Sequence, residues 1–309
     1  MAEGNRVVTV GVDTHKDAHV AAALDASGAL LGTASFPADA RGYGAGLARA
    51  LDAAGVRVLE VSAPDRSERR RRGKSDGIDA EQAARAALAG TRCAPAKSRC
   101  AEMGALGALE AAYAGAVKAR TAALNALQAQ VVALPEEARA PLRGKGSSEL
   151  VRACASMRPG AGSSPETLAK VALRSLARRA RMLDEEAKGL EAEIDALTKA
   201  LAPSTRSLLG AGPHVAARLL LAAGANVSRL RSEASFSMLC GASPVPVSSG
   251  RADRHRLSRA GDRRANSALY TMAITRMAHD ERTRSYVARR MSEGKTKKDA
   301  IRCLKRYIA

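Results

Sequence analysis

Two long amphipathic stripes constrain this chain more than any other feature. Leu106, Leu109, Tyr113, Ala116, Leu124, Leu127, Val131 and Leu134 keep the three-and-four spacing of one helix face. Leu176, Leu183, Ala187, Leu190, Ile194, Leu197 and Leu201 do the same. Each stripe predicts a helix of many turns with one buried face, and the second is heptad-like, which predicts a coiled coil. Breaks rich in Pro, Gly and Ser separate them, from Pro135 to Ser148 and again from Arg158 to Pro165. Two such helices form an antiparallel hairpin or pair with a second copy, so residues 93–203 read either as a dimerising spacer or as plain bundle core. Arg120 interrupts the first stripe. Aromatic residues make up only 2% of the 309 residues and Trp is absent, so the cores are built from Leu, Val and Ala, with alanine favouring closely packed helices.

The segment before these helices has a different rhythm. Val7-Val8-Thr9-Val10-Gly11-Val12-Asp13 is a β-branched run ending in an aspartate, followed by apolar runs from His19 to Leu24 and Leu30 to Phe36, with a turn at Ala26-Ser27-Gly28. These predict a three-stranded meander. An ionised carboxylate inside such a strand is poorly placed for stability, which marks Asp13 as functional unless it merely ends the strand and caps the turn.

A dense positive block, Arg69-Arg70-Arg71-Arg72-Gly73-Lys74, then runs into Ser75-Asp76-Gly77-Ile78-Asp79-Ala80. On a helix beginning near Asp76, Asp76 and Asp79 share a face one turn apart. A close carboxylate pair beside a phosphate-attracting surface suits divalent-metal chemistry on nucleic acid. The alternative is structural, with Asp76 as a helix cap and Asp79 in the first turn. The formal charge of +19 predicts a polyanionic partner. No apolar run approaches membrane-spanning length and no secretory leader is readable, so a cytoplasmic protein is expected. The five cysteines are scattered and never spaced C-x-x-C, which supports neither a disulfide framework nor a zinc site.

Gly11-Val12-Asp13-Thr14-His15-Lys16-Asp17, Pro64-Asp65-Arg66 and Arg70 to Ala80 together resemble the DEDD transposases of insertion sequences, insertion-sequence family one-ten. The resemblance runs to the end of the chain. It implies an α/β plus α architecture: an RNase H/RuvC-like domain over residues 1–92, the helical coiled-coil segment over 93–203, and a mainly helical transposase domain over 204–309. It also implies that Asp13, Asp76 and Asp79 are three of four acids holding Mg2+. The helix and strand that carry the fourth, a glutamate, are missing between Tyr43 and Val56, so the first domain is expected to be incomplete. Glu60 matches the strand before Pro64-Asp65-Arg66 and is expected to point outward, although it is the first substitute to consider.

Leu208-Leu209-Gly210-Ala211-Gly212-Pro213 reads as a helix-hairpin-helix, in which Gly210 and Gly212 let backbone N–H groups approach a phosphate, unless they form a simple turn. Ser248-Ser249-Gly250-Arg251 resembles the family's serine nucleophile motif, with Ser249 the nearer match and Ser248 beside it. Arg251, Arg254, Arg256 and Arg259, with Arg70, Arg71, Arg72 and Lys74, are the expected nucleic-acid contacts. Lys295 to Arg306 reads as a basic helix tracking a backbone, and the chain stops at Ala309 where relatives run on. The function implied is a DNA transposase acting as a homodimer or homotetramer with an element-encoded guide RNA. The alternative is an inactive remnant that only binds nucleic acid.

Overall fold

The computed structural model describes residues 7–38, 51, 54–61, 75–91, 93–97, 100–246, 255–258 and 261–309. The chain forms two compact units. The first comprises residues 1–99 with 224–231, and the second comprises 100–223 with 232–309.

The first unit opens with the predicted meander. β1 (Thr9–Thr14), β2 (Ala18–Leu24) and β3 (Leu30–Pro37) form one antiparallel sheet in that order. Asp25 shapes the β2–β3 turn by accepting from the N–H groups of Ser27 and Ala29 and from the Ser27 hydroxyl, and Gly28 takes φ +87. The hydroxyl of Ser27 chiefly, then the Ala29 N–H, holds the Asp25 carboxyl below its ordinary value. α1 (Asp76–Leu88) lies on β1 and β2 and buries Ala80, Glu81 and Ala84. Arg85 fastens it, donating through Nε and Nη2 to Glu81 at 2.9 and 2.8 Å and through Nη1 to the carbonyl of Gly28 at 3.1 Å.

The strand expected before Pro64 is short. β4 (Leu59–Val61) pairs antiparallel with β5 (Cys93–Pro95) in a separate two-stranded ribbon. Among the described residues no strand pairs with the outer edge of β1. Within this unit Asn226 donates to the carbonyl of Ala96 at 2.7 Å, and Arg229 lies 3.6 Å from Glu60.

The second unit is helical apart from one ribbon. α2 (Ala101–Val132) and α4 (Pro165–Leu201) are the two long helices, and α3 (Ser147–Ala155) packs on α4 between them in sequence. They run antiparallel: Leu127 and Val131 cluster with Leu173 and Ala177, whereas Met103 and Leu106 cluster with Ile194. Fully burying one such leucine contributes about 1.5–3 kcal/mol. In α2 the buried face passes through Ala123 where the periodicity named Leu124, a rotation of one position that brings a small side chain into the contact. Arg120 meets Asp184 of α4 at 2.9 Å, which explains its place on the stripe.

α5 (Pro213–Ala223), α6 (Glu233–Leu239) and α7 (Arg263–His279) enclose a core of alanines with Val215, Leu219, Cys240, Leu269 and Met272. Burial pushes the Cys240 thiol up to about 12, with the Asp262 charge adding to the shift. α8 (Glu281–Ser292) and α9 (Lys297–Ile308) close this end through Ala273, Val287, Ala300, Ile301 and Leu304. The basic helix expected near the C-terminus is therefore α9, but Lys305 is turned inward and only 5% exposed.

Candidate active site

The start of α1 is set by Ser75, whose hydroxyl accepts from the N–H of Ile78. Asp76 is thus the first helical residue rather than the cap, and Asp79 follows within the first turn, where the helix dipole favours both carboxylates.

Gly11 decides how the helix meets the sheet. A Cβ at Gly11 would lie 2.1 Å from the carbonyl oxygen of Ala80 and 2.4 Å from the nitrogen of Ala84, so α1 rests directly on the β1 backbone. From that contact, two residues along β1 lead to Asp13 on the same face, a step of about 6.7 Å. Four residues back along α1 lead from Ala80 to Asp76, about 6 Å. Nearly equal steps bring the two aspartates to one end of the helix–sheet contact. His15, two residues beyond Asp13, turns back to the same end as the chain reverses, its N–H donating to the carbonyl of Ala18 at 3.2 Å.

His15 Nε2 lies 3.1 Å from Asp13 Oδ2 and 3.4 Å from Asp76 Oδ1, and the three donor atoms fall within 4.8 Å of one another. Two acceptor-only carboxylates make this ring nitrogen the proton donor. The side chains are 28%, 46% and 52% exposed for Asp13, His15 and Asp76, open enough for solvent or a substrate to reach. Two carboxylates and an imidazole at these separations suit one divalent ion. Asp79 is not among the three donors. Glu60 is also elsewhere, accepting from the N–H of Lys97 at 3.2 Å and facing Arg229. The sequence reading did not single out His15. His15 lies just past β1, in the turn, so no strand periodicity points to it.

In the second unit, β6 (Pro244–Pro246) and β7 (His255–Leu257) form an antiparallel ribbon with Val245 opposite Arg256. Ser248, Ser249, Arg251 and Arg254 belong to the segment joining these strands. Like Arg259, Arg70, Arg71, Arg72 and Lys74, they lie outside the described residues, and Arg256 is described in its backbone only. The base of the ribbon is firmly held. Asn266 donates to the carbonyls of Cys240 and Gly241 at 2.8 and 3.0 Å, and Lys305 donates to the Asn266 side-chain oxygen at 2.7 Å. Burial, then repulsion from Arg302, lowers the Lys305 ammonium from its ordinary value. A Cβ on Gly261 would lie 2.2 Å from the nitrogen of Gly241, so the chain leaving β7 crosses the chain entering β6 backbone to backbone.

The Gly-x-Gly turn precedes α5. Gly210 takes φ +86, and a Cβ there would meet Met272 of α7 at 3.2 Å, so packing accounts for this glycine, while Gly212 faces open space. Behind the turn lies a network the sequence did not reveal. Glu110 of α2, 3% exposed, accepts from His214 Nδ1 at 2.5 Å and from Arg218 Nε at 3.2 Å, and Tyr113 stacks on the His214 ring at 3.9 Å. Burial pushes the Glu110 carboxyl up, but the His214 hydrogen bond and charge, with Arg218, outweigh it and hold it below the ordinary value.

Residues 204–288, from the short turn before Gly210 through most of α8, match the transposase family described as IS116/IS110/IS902. This region of the second unit is thus a transposase-family domain. The chain is also similar to the insertion element IS110 uncharacterized 43.6 kDa protein of Streptomyces coelicolor, 32% identical over 130 residues. That match covers 41% of this chain and 32% of the relative, so about a third of the relative's length is spanned. Both matches are to proteins of the IS110 type of insertion element, and the family match lies within residues 204–288.

Proposed function

We propose that the chain is a transposase that cuts and rejoins DNA strands at an insertion element. The observation carrying this reading is the transposase-family domain over residues 204–288, whose β6–β7 ribbon brackets the serine and arginine segment. The Asp13, His15 and Asp76 group of the first unit and the charge of +19 add to it. Asp13 and Asp76, with Asp79 one turn along α1 from Asp76, would hold Mg2+, which would supply Lewis-acid stabilisation of charge developing on a phosphate. The Ser249 hydroxyl attacks the phosphorus as the bond to a sugar oxygen breaks and that oxygen takes a proton. Attack by another sugar hydroxyl then frees the serine, so no external energy source is required. Arg251, Arg254, Arg256 and Arg259 neutralise the phosphate. An element-encoded RNA selects the target, and the acids of one copy act with the serine of another in a dimer or tetramer built on an RNase H-like first domain and the α2–α4 coiled coil.

A second reading, a remnant that binds nucleic acid without cutting it, is favoured by one observation. Among the described residues no glutamate joins the acidic group, and Glu60 is engaged by Arg229 and Lys97. The two readings part in a cleavage assay on a supercoiled plasmid bearing the element's ends and its flanking RNA gene, with Mg2+. Cleavage by the wild type and its loss in Asp13→Ala and Ser249→Ala support the transposase. Salt-sensitive binding without cleavage supports the remnant.

A further inference from the structure

We propose that His15 is the third donor of the cation site begun by Asp13 and Asp76, and that its nitrogen makes the site bind Mn2+ more tightly than Mg2+. The proposal rests on the metal reading above and deepens it by naming the ligand set and the ion it prefers.

The separations carry the argument. Donors bound about 2.1 Å from one ion stand about 3.0 Å apart at neighbouring octahedral corners and about 3.4 Å apart in a tetrahedron. His15 Nε2 stands 3.1 and 3.4 Å from the two carboxylate oxygens. All three donor atoms lie within 4.8 Å of one another, so an ion is placed among them by side-chain rotation and loss of the Nε2 proton. The backbone supports the same grouping, because Gly11 seats α1 on β1 and sets Asp76 opposite Asp13, while the reversal after β1 returns His15 to that point. Mg2+ strongly prefers oxygen ligands, whereas Mn2+, a first-row transition ion, also accepts imidazole nitrogen, so adding His15 to two carboxylates tilts the site toward Mn2+. Glu60, the other acid considered for completing the set, is committed to Arg229 and the Lys97 N–H.

The competing role for His15 is that of an imidazolium counter-ion, standing where a metal would and excluding it. The two roles predict opposite signs. As a ligand, His15 strengthens metal binding and its removal weakens it. As a counter-ion, it competes, and its removal tightens binding.

The test is titration of the full chain with MnCl2 and separately with MgCl2, followed by calorimetry, for the wild type, His15→Ala, His15→Gln and Asp13→Asn. Electron spin-echo spectroscopy of the Mn2+ form adds a direct readout, since imidazole nitrogen modulates the echo. The expected result is about a tenfold loss of Mn2+ affinity in both His15 variants, a smaller change for Mg2+, and disappearance of the nitrogen modulation. Unchanged or tighter Mn2+ binding in His15→Ala, with binding lost in Asp13→Asn, overturns the ligand role while leaving the acid site standing. Unchanged binding in Asp13→Asn as well overturns the metal reading on which the proposal rests.

Discussion

Gly11 and Ala80 meet backbone to backbone, and the position of the acidic group follows from that one contact. A Cβ at Gly11 would sit 2.1 Å from the Ala80 carbonyl oxygen, and no flexible side chain stands there to move aside. Gly11→Ala must therefore lift α1 from β1. The expected cost is roughly 1–3 kcal/mol of first-unit stability, the range of overpacked cores. The same shift separates Asp76 from Asp13, so Mn2+ affinity falls in this variant although no ligand has been changed. Calorimetry on a variant that still melts cooperatively checks both effects.

Glu110 supplies an acid-sensitive joint in the second unit. Its folded-state value lies below the ordinary 4.5, because His214 and Arg218 outweigh burial. The stability it contributes is complete above that ordinary value and is lost as pH falls through the folded value. Glu110→Gln leaves His214 and Arg218 facing a neutral amide, and a cost of about 3 kcal/mol at pH 7 is expected for breaking a buried charge pair. Denaturant melts from pH 7 to 3 should show the variant losing less stability on acidification than the wild type.

Lys305 acts in the opposite pH range. Burial holds its ammonium below the ordinary value of 10.5, so between the folded and ordinary values the unfolded chain binds more protons than the folded one. Stability therefore rises with pH across the interval just below 10.5, with the penalty complete below the folded value and gone above the ordinary one. Lys305→Met removes this contribution. The difference in denaturation midpoint between wild type and Lys305→Met, followed from pH 7 to 10, should move in favour of the wild type as pH rises.

Polyanion binding tests the charge directly. With +19 on the chain, affinity for duplex DNA or RNA should fall steeply and linearly on logarithmic axes as salt increases. A flat salt dependence in a fluorescence-anisotropy series contradicts nucleic acid as the partner.

The elements legible in the sequence were those fixed by local periodicity. The meander appeared within one or two residues of its strands, because β-branched runs and the Asp25 to Ala29 turn are local signals. The long helices appeared through their apolar spacing, although the choice of Ala123 over Leu124 depends on how closely α4 approaches. Pairing between distant residues was not legible. β4 found β5, a strand of three residues with no alternation to announce it. Lys305 looked like one more surface cation until α9 folded its side chain onto Asn266. At the site, Asp13 was readable as a carboxylate inside a β-branched strand and Asp76 as an acid beside a basic block, whereas His15 joins them only through the reversal after β1.

The proposed function turns on Ser249 joining the chain covalently to DNA as the strand is cut. The most direct measurement is a denaturing gel of the full chain incubated with end-labelled element DNA, its RNA and Mg2+. The account predicts a protein-linked labelled band that is absent in Ser249→Ala, retained in Ser248→Ala and lost in Asp13→Asn. DNA that is bound but never covalently joined, in wild type and variants alike, would contradict it and leave a nucleic-acid-binding remnant.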